Sequence, residues 1–173
     1  MRYIFMGVLF VFLDFNINIG ASQIGLIPDF IGYIFIYLGL GELTDLNPRF
    51  EKVRPFATVM AGYTGVLYLL ALMGIGTGEV LGFILGLAST LISLYISYNI
   101  VMGIKEYETQ SSRFLNAAGL YTAWTVLVIL TLGSYLLFII PILNWICIIA
   151  GLLAGIVFLV SFNKTKRLYY GMG

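Results

Sequence analysis

The sequence predicts an all-α fold, a polytopic transmembrane bundle of about six helices with both termini cytoplasmic, and three observations predict it. Of its 173 residues, 61% are hydrophobic and only 10% charged, and the mean hydropathy is +1.02. Soluble domains carry roughly a quarter charged residues, and nine basic plus eight acidic side chains are too few to cover the outside of a water-soluble body. The apolar residues also fall into runs of bilayer length, separated by short polar turns. Finally, cutting the chain into six spans puts every Lys and Arg on one side.

A hydrocarbon core about 30 Å thick needs roughly 17 to 25 apolar residues per helix, each advancing about 1.5 Å. Residues 3–19 (Tyr3 to Ile19) are just long enough for a first span, with Gly20 as its left-handed stop. Arg2 and the apolar run after it have the look of a signal peptide. Asp14, Asn16 and Asn18 follow where small cleavage-site residues belong, so a retained helix is expected. Residues 28–43 form the second span: Pro28 suits a first helical turn and Asp29 meets the positive end of the helix dipole. Thr44 to Pro55, with Asp45, Pro48, Arg49, Glu51, Lys52 and Arg54, reads as a polar loop.

Residues 56–73 are the third span, and Gly74, Gly76 and Gly78 with Thr77 and Glu79 turn the chain into the fourth, residues 80–104. Lys105 to Arg113 reads as a second polar loop. Residues 114–138 are the fifth span, Pro141 and Asn144 mark a tight turn, and residues 145–162 are the sixth, followed by the basic tail Lys164, Lys166 and Arg167. The whole is expected to be a single transmembrane domain. Short cytoplasmic loops collect Lys and Arg, and here Arg2, Arg49, Lys52, Arg54, Lys105, Arg113 and the tail share one side, leaving Glu79, Asp14 and Asp29 opposite. Tyr169 and Tyr170 are placed to rest among the headgroups as interfacial aromatics. No internal repeat is visible, although three helices followed by three would be related with inverted topology.

Composition also excludes function classes. A net charge of +1 with dispersed basic residues gives no nucleic-acid surface. The lone Cys147 allows neither an internal disulfide nor a thiolate cluster. The absence of histidine removes the usual general base, the commonest metal ligand and the partner of most serine or cysteine nucleophiles. No enzymatic activity, cofactor or metal is expected, and the certain partner is the lipid bilayer.

Chemistry concentrates in Asp14 to Tyr33, DFNINIGASQIGLIPDFIGY, where carboxylates and amides gather between two spans. Asp14 lies roughly 18 Å along a helix from Arg2, past the midplane yet inside the hydrocarbon, where an ionised group costs several kcal/mol unless paired or wetted. Asn18 is one helical turn on, and Gln23 approaches from the turn. Asp29, Tyr33 and Tyr37 line a polar and aromatic stripe on the second helix. A small polar solute, a cation or a proton fits such a set, with Asp14 as principal charge and Asp29, Asn16, Asn18, Gln23, Tyr33 and Tyr37 around it. The structural alternative has Asp29 only capping its helix and Asp14 protonated and bonded to Asn18 or backbone. Glu42 is expected at the headgroups, and Cys147 as a small buried hydrophobe.

Helices in lipid associate through small residues. Gly78, Gly82, Gly86, Ser89, Ser93 and Ser97 recur along the fourth helix at three- and four-residue steps, and Gly151 and Gly155 repeat the spacing in the sixth. Such a stripe serves packing within the chain or docks another membrane subunit or a second copy.

The run Ile27-Pro28-Asp29-Phe30-Ile31-Gly32-Tyr33-Ile34-Phe35-Ile36, with the preceding Asp14-Phe15-Asn16-Ile17-Asn18-Ile19-Gly20, resembles small uncharacterised bacterial multi-pass membrane proteins with an (L/I)PDxIGY segment. The likeness covers about the first 55 residues, and it implies a bacterial inner membrane without implying an activity. In size and span count the chain is also similar to the substrate-binding subunits of energy-coupling vitamin transporters, an architectural likeness that implies the alternative of an accessory subunit docking through its Gly/Ser face.

Overall fold

The computed structural model describes residues 1–12, 16–19, 22–25, 28–76, 78–137 and 139–171, with side chains for these apart from 16–19, 22–25 and 79. Six helices follow in order: α1 Arg2–Phe12, α2 Asp29–Gly41, α3 Pro48–Leu72, α4 Glu79–Ser111, α5 Ala117–Leu136 and α6 Pro141–Tyr170. The all-α expectation holds in its six helices. One small element is added to them, an antiparallel ribbon of β1 Asn16–Ile19 and β2 Ser22–Gly25 between α1 and α2.

That ribbon corrects the first span. Asn16-Ile17-Asn18-Ile19 alternates polar and apolar with the two-residue period of a strand, not the 3.6 of a helix, and Ile19 pairs with Ser22. Gly20, expected as a helix stop, lies outside the described residues. With only 11 residues in α1 and 13 in α2, these helices are about 16 and 20 Å long, below the bilayer ruler. Among the described residues, α3, α4, α5 and α6 are long and apolar enough to cross a membrane.

The polar stretches expected to be loops are largely helix. Asn47 caps α3 by accepting a hydrogen bond from the Arg49 amide at 2.9 Å, and Pro48 follows in the first turn, so Arg49 to Pro55 are helical turns. The α4 helix likewise runs past Lys105 to Ser111, and α6 starts at Pro141 and carries the basic tail to Tyr170. Between α4 and α5, Asn116 has a left-handed φ of 64° and its side chain makes no cap. The Glu108 carboxylate caps instead, accepting from the amides of Leu115 and Ala117. Gly74 and Gly78, at φ of 71° and 72°, make the turn between α3 and α4.

The chain divides into two compact units, Met1–Ile96 and Ser97–Gly173, the division falling within α4. In the first, α1 packs on α2, α2 on α3, and β2 lies against α3. Its core is Ile4, Val8, Tyr33, Ile36, Leu40, Leu43, Phe50, Val53, Ala57 and Met60, gathered toward the corner between α2 and α3. The Met1 ammonium lies 3.5 Å from Glu42, which is 46% exposed as an interfacial acid should be. Burial pushes that amine below its ordinary pKa, with Glu42 acting in the other direction. In the second unit α5 packs on α6 around Leu115, Leu120, Leu127, Phe158 and Phe162. Each unit leaves large apolar side chains bare: Val66, Leu69 and Met73 in one, Leu136, Ile139 and Ile142 in the other. Surfaces of that kind are stable against hydrocarbon and aggregate in water.

The closest packing is between α1 and α2. A Cβ on Gly7 would stand 2.5 Å from the Gly32 carbonyl oxygen, and one on Gly39 would stand 2.5 Å from the Ile4 amide nitrogen. The two backbones therefore touch, with Tyr3 and Phe10 stacking on either side against Phe35 at centroid distances of 6.1 and 5.7 Å. Replacing Gly39 by Leu forces these helices apart. The expected result is a loss of at least about 1 to 3 kcal/mol, the usual cost of overpacking, read as a lower unfolding midpoint in detergent. Gly62→Ala, where nothing lies within 4 Å, leaves that midpoint unchanged; equal effects from both would refute the close contact.

Candidate functional site

The α2 helix presents three faces, and their division of labour builds the site. Gly32, Ile36 and Gly39 meet α1. Ile34 and Leu38 are each 44% exposed, as lipid-facing side chains are. The remaining face carries Asp29, Tyr33 and Tyr37 at four-residue steps, the expected polar and aromatic stripe, and it turns toward α3 and α4.

Tyr33 is 2% exposed, and its hydroxyl bonds the Ser93 Oγ of α4. Ser93 spends its own proton on the Ser89 carbonyl at 2.8 Å, so the tyrosine is the donor and the serine the acceptor. One helix below, Tyr63 of α3 donates to the Leu85 carbonyl of α4 at 3.1 Å. Phe30 meets Tyr68 and Phe56 meets Tyr95 at ring-centroid distances of 5.7 and 5.0 Å. This aromatic wall holds α2, α3 and the first part of α4 together. Asp29 is the first residue of α2, with its Oδ1 shielded from solvent, where the helix dipole favours negative charge.

Tyr37, two turns on, takes the Arg54 guanidinium of α3 over its ring, 4.2 Å from the centroid. Sequence reasoning placed Arg54 in a solvated loop and missed this contact. The available signal was Asn47-Pro48, a cap followed by a first-turn proline that starts the helix eight residues early.

Asp14 lies outside the described residues. Asn16, Asn18 and Gln23 are described by backbone alone, and extended backbone from Asn16 onward removes the helical-turn relation expected between Asp14 and Asn18. The register pairs Asn18 with Gln23 and Asn16 with Gly25. By the two-residue strand period, Asn16, Asn18 and Gln23 occupy positions of one face of the ribbon, and Ile17, Ile19 and Ile24 those of the other. Three residues separate Gly25 at the end of β2 from Asp29, so this polar face and the α2 N-terminus are neighbours in the chain.

The Gly/Ser stripe is used unevenly. Gly78 precedes α4 as a turn glycine with open space around it. Gly82, Gly86 and Ser89 are half-buried. Ser93 holds Tyr33, and Ser97, in the second unit, takes a 2.9 Å hydrogen bond from the Trp124 indole. On α6, a Cβ at Gly151 or Gly155 would sit 3.9 or 4.0 Å from Leu130 or Leu127, an ordinary contact distance. The tight glycine seam is on α1 and α2, where Gly32 and Gly39 stand two turns apart. Cys147 is half-buried and free, and among the described residues no three His, Cys, Asp or Glu side chains gather. No family model, no curated protein and no solved structure matches the chain.

Tyr33→Phe and Ser93→Ala each remove one half of the α2–α4 bond. A double-mutant cycle on unfolding free energy in detergent is expected to give a coupling of roughly 0.6 kcal/mol, the usual worth of such bonds in membrane proteins; strictly additive losses would mean that the pair does not interact.

Proposed function

We propose that this chain is a non-enzymatic protein of the bacterial cytoplasmic membrane, both termini cytoplasmic, that binds or passes a small polar solute or cation at the β ribbon and the adjoining start of α2. The observation that carries the reading is that α1 and α2 stop short of bilayer length and are joined by a ribbon with a polar face. Non-helical backbone at hydrocarbon depth is tolerated only where it is buried in protein or lines a wetted cavity, and amides at Asn16, Asn18 and Gln23 suit the second. Asp29 supplies negative charge beside them, with Asp14 in the preceding segment, and intramembrane carboxylates of this kind serve ion and solute paths.

The orientation is supported by charge. In chain order Arg2 opens α1 and the basic turns of α3 follow α2; in the proposed orientation α3 with α4 and α5 with α6 are out-and-back pairs. All nine basic residues then face the cytoplasm.

Purified protein is expected to gain thermal stability from one member of a panel of Na⁺, K⁺, Mg²⁺ and small polar solutes, and to lose that gain in Asp14→Asn and Asp29→Asn. A ligand at a hundred times its Kd adds about 2.7 kcal/mol, well within reach of a melting measurement. Shifts that persist unchanged in both variants sink the reading. In a Cys147→Ala background, single cysteines at Asn18 and Gln23 are expected to react with a membrane-impermeant thiol reagent, while one at Val128 stays protected; an inert Asn18 position would mean a dry ribbon.

A further inference from the structure

We propose that Arg54 anchors an oxyanion site at the corner between α2 and α3, taking the phosphate of a phosphate ester. The guanidinium is fixed from two sides. The Tyr37 ring lies under it at 4.2 Å, and the α2 backbone at Gly41 flanks it so closely that a Cβ there would come 3.1 Å from Nη2 and 3.2 Å from Cζ. Stacking satisfies the flat face of a guanidinium and leaves its in-plane N–H donors to find acceptors.

Among the described residues those donors find none. Nε is shielded from solvent and bonds to nothing, and no carboxylate of the described residues lies within ion-pair distance of Arg54. Of the acids at this corner, Glu42 holds the Met1 ammonium, and neither Asp45 nor Glu51 reaches the guanidinium. A buried donor left unsatisfied costs about 1 to 3 kcal/mol, more when it is charged. A positioned, stacked, unneutralised fork is the geometry that matches a phosphate through two parallel hydrogen bonds. Arg49 and Lys52, in the same first turns of α3, add positive field without competing for the fork.

The depth fits the ligand. Arg54 lies about 9 Å along α3 from Pro48, directly before the apolar run that opens at Phe56, so it stands where headgroups meet hydrocarbon. A lipid phosphodiester is at hand there, and a water-soluble phosphate ester reaches the same edge from the aqueous side. The site is independent of the ribbon and of any solute bound there.

The test uses full-length protein in detergent. Phosphatidylglycerol is titrated while the melting temperature is followed, with diacylglycerol as the phosphate-free lipid and glycerol 3-phosphate as the lipid-free phosphate. Phosphatidylglycerol is expected to raise the wild-type midpoint by several degrees and diacylglycerol to leave it unmoved. Arg54→Lys, which keeps the charge and loses the fork, is expected to melt near wild type without lipid and to bind at least about tenfold more weakly. Gly41→Ala, which touches no charge, weakens binding by displacing the guanidinium. Equal stabilisation by glycerol 3-phosphate, lost in the same variants, supports the site with a soluble ester as its occupant. Equal shifts from phosphatidylglycerol and diacylglycerol, or an unaltered response in Arg54→Lys and Gly41→Ala, overturn it.

Discussion

Backbone contact between α1 and α2 is the constraint that organises the first unit. Helices in lipid gain nothing from hiding apolar surface from one another, so the approach of Gly7 to Gly32 and of Gly39 to Ile4 has to be earned by dispersion between closely fitted backbones. That fit turns Gly32, Ile36 and Gly39 to α1. With 3.6 residues per turn, Tyr33 and Tyr37 are then rotated by about a quarter-turn or more from the seam. They arrive where Ser93 and Arg54 stand. A side chain larger than hydrogen at Gly32 would move the aromatic face as well as the helix pair, so the glycines govern the site without belonging to it.

The fold was legible where physics leaves one option. Runs of bilayer length have no alternative to helix, because hydrocarbon offers the peptide group no partner, and six helices appear in order. Their ends were less legible. A hydropathy ruler measures the thickness of the apolar layer, whereas a helix ends where its caps are. Asn47 and Pro48 start α3 eight residues before the apolar run at Phe56, and Glu108 lets α4 continue to Ser111 before it closes the turn into α5.

The first span failed for a different reason. Residues 3–19 have the length of a span, but the alternation of Asn with Ile from Asn16 to Ile19 is a strand period, and length does not override period. The site was legible in part for the same reason. The Asp29, Tyr33 and Tyr37 stripe follows from helical spacing alone. Their partners Ser93 and Arg54 lie 60 and 17 residues further along the chain, and nothing local to α2 points to either. Ser93 was visible only as one more small residue in a stripe, although its hydroxyl rather than its size is what the structure uses.

Charge asymmetry reports the parity of crossings, and parity is blind to how α1 and α2 make theirs. Two full crossings and one re-entrant loop both return the chain to the side it left, so the nine basic residues stay together in either geometry. The helix lengths add what charge omits. About 16 Å of α1 leaves roughly half of a 30 Å core for the ribbon, whose four-residue strands extend about 13 Å. If the pair is re-entrant, the ribbon sits near the midplane. If it crosses, the ribbon completes the crossing. In either geometry Asn16, Asn18 and Gln23 would lie at hydrocarbon depth, where amides facing lipid would cost several kcal/mol. A polar face at that depth would have to look onto protein or water, and β2 lies against α3.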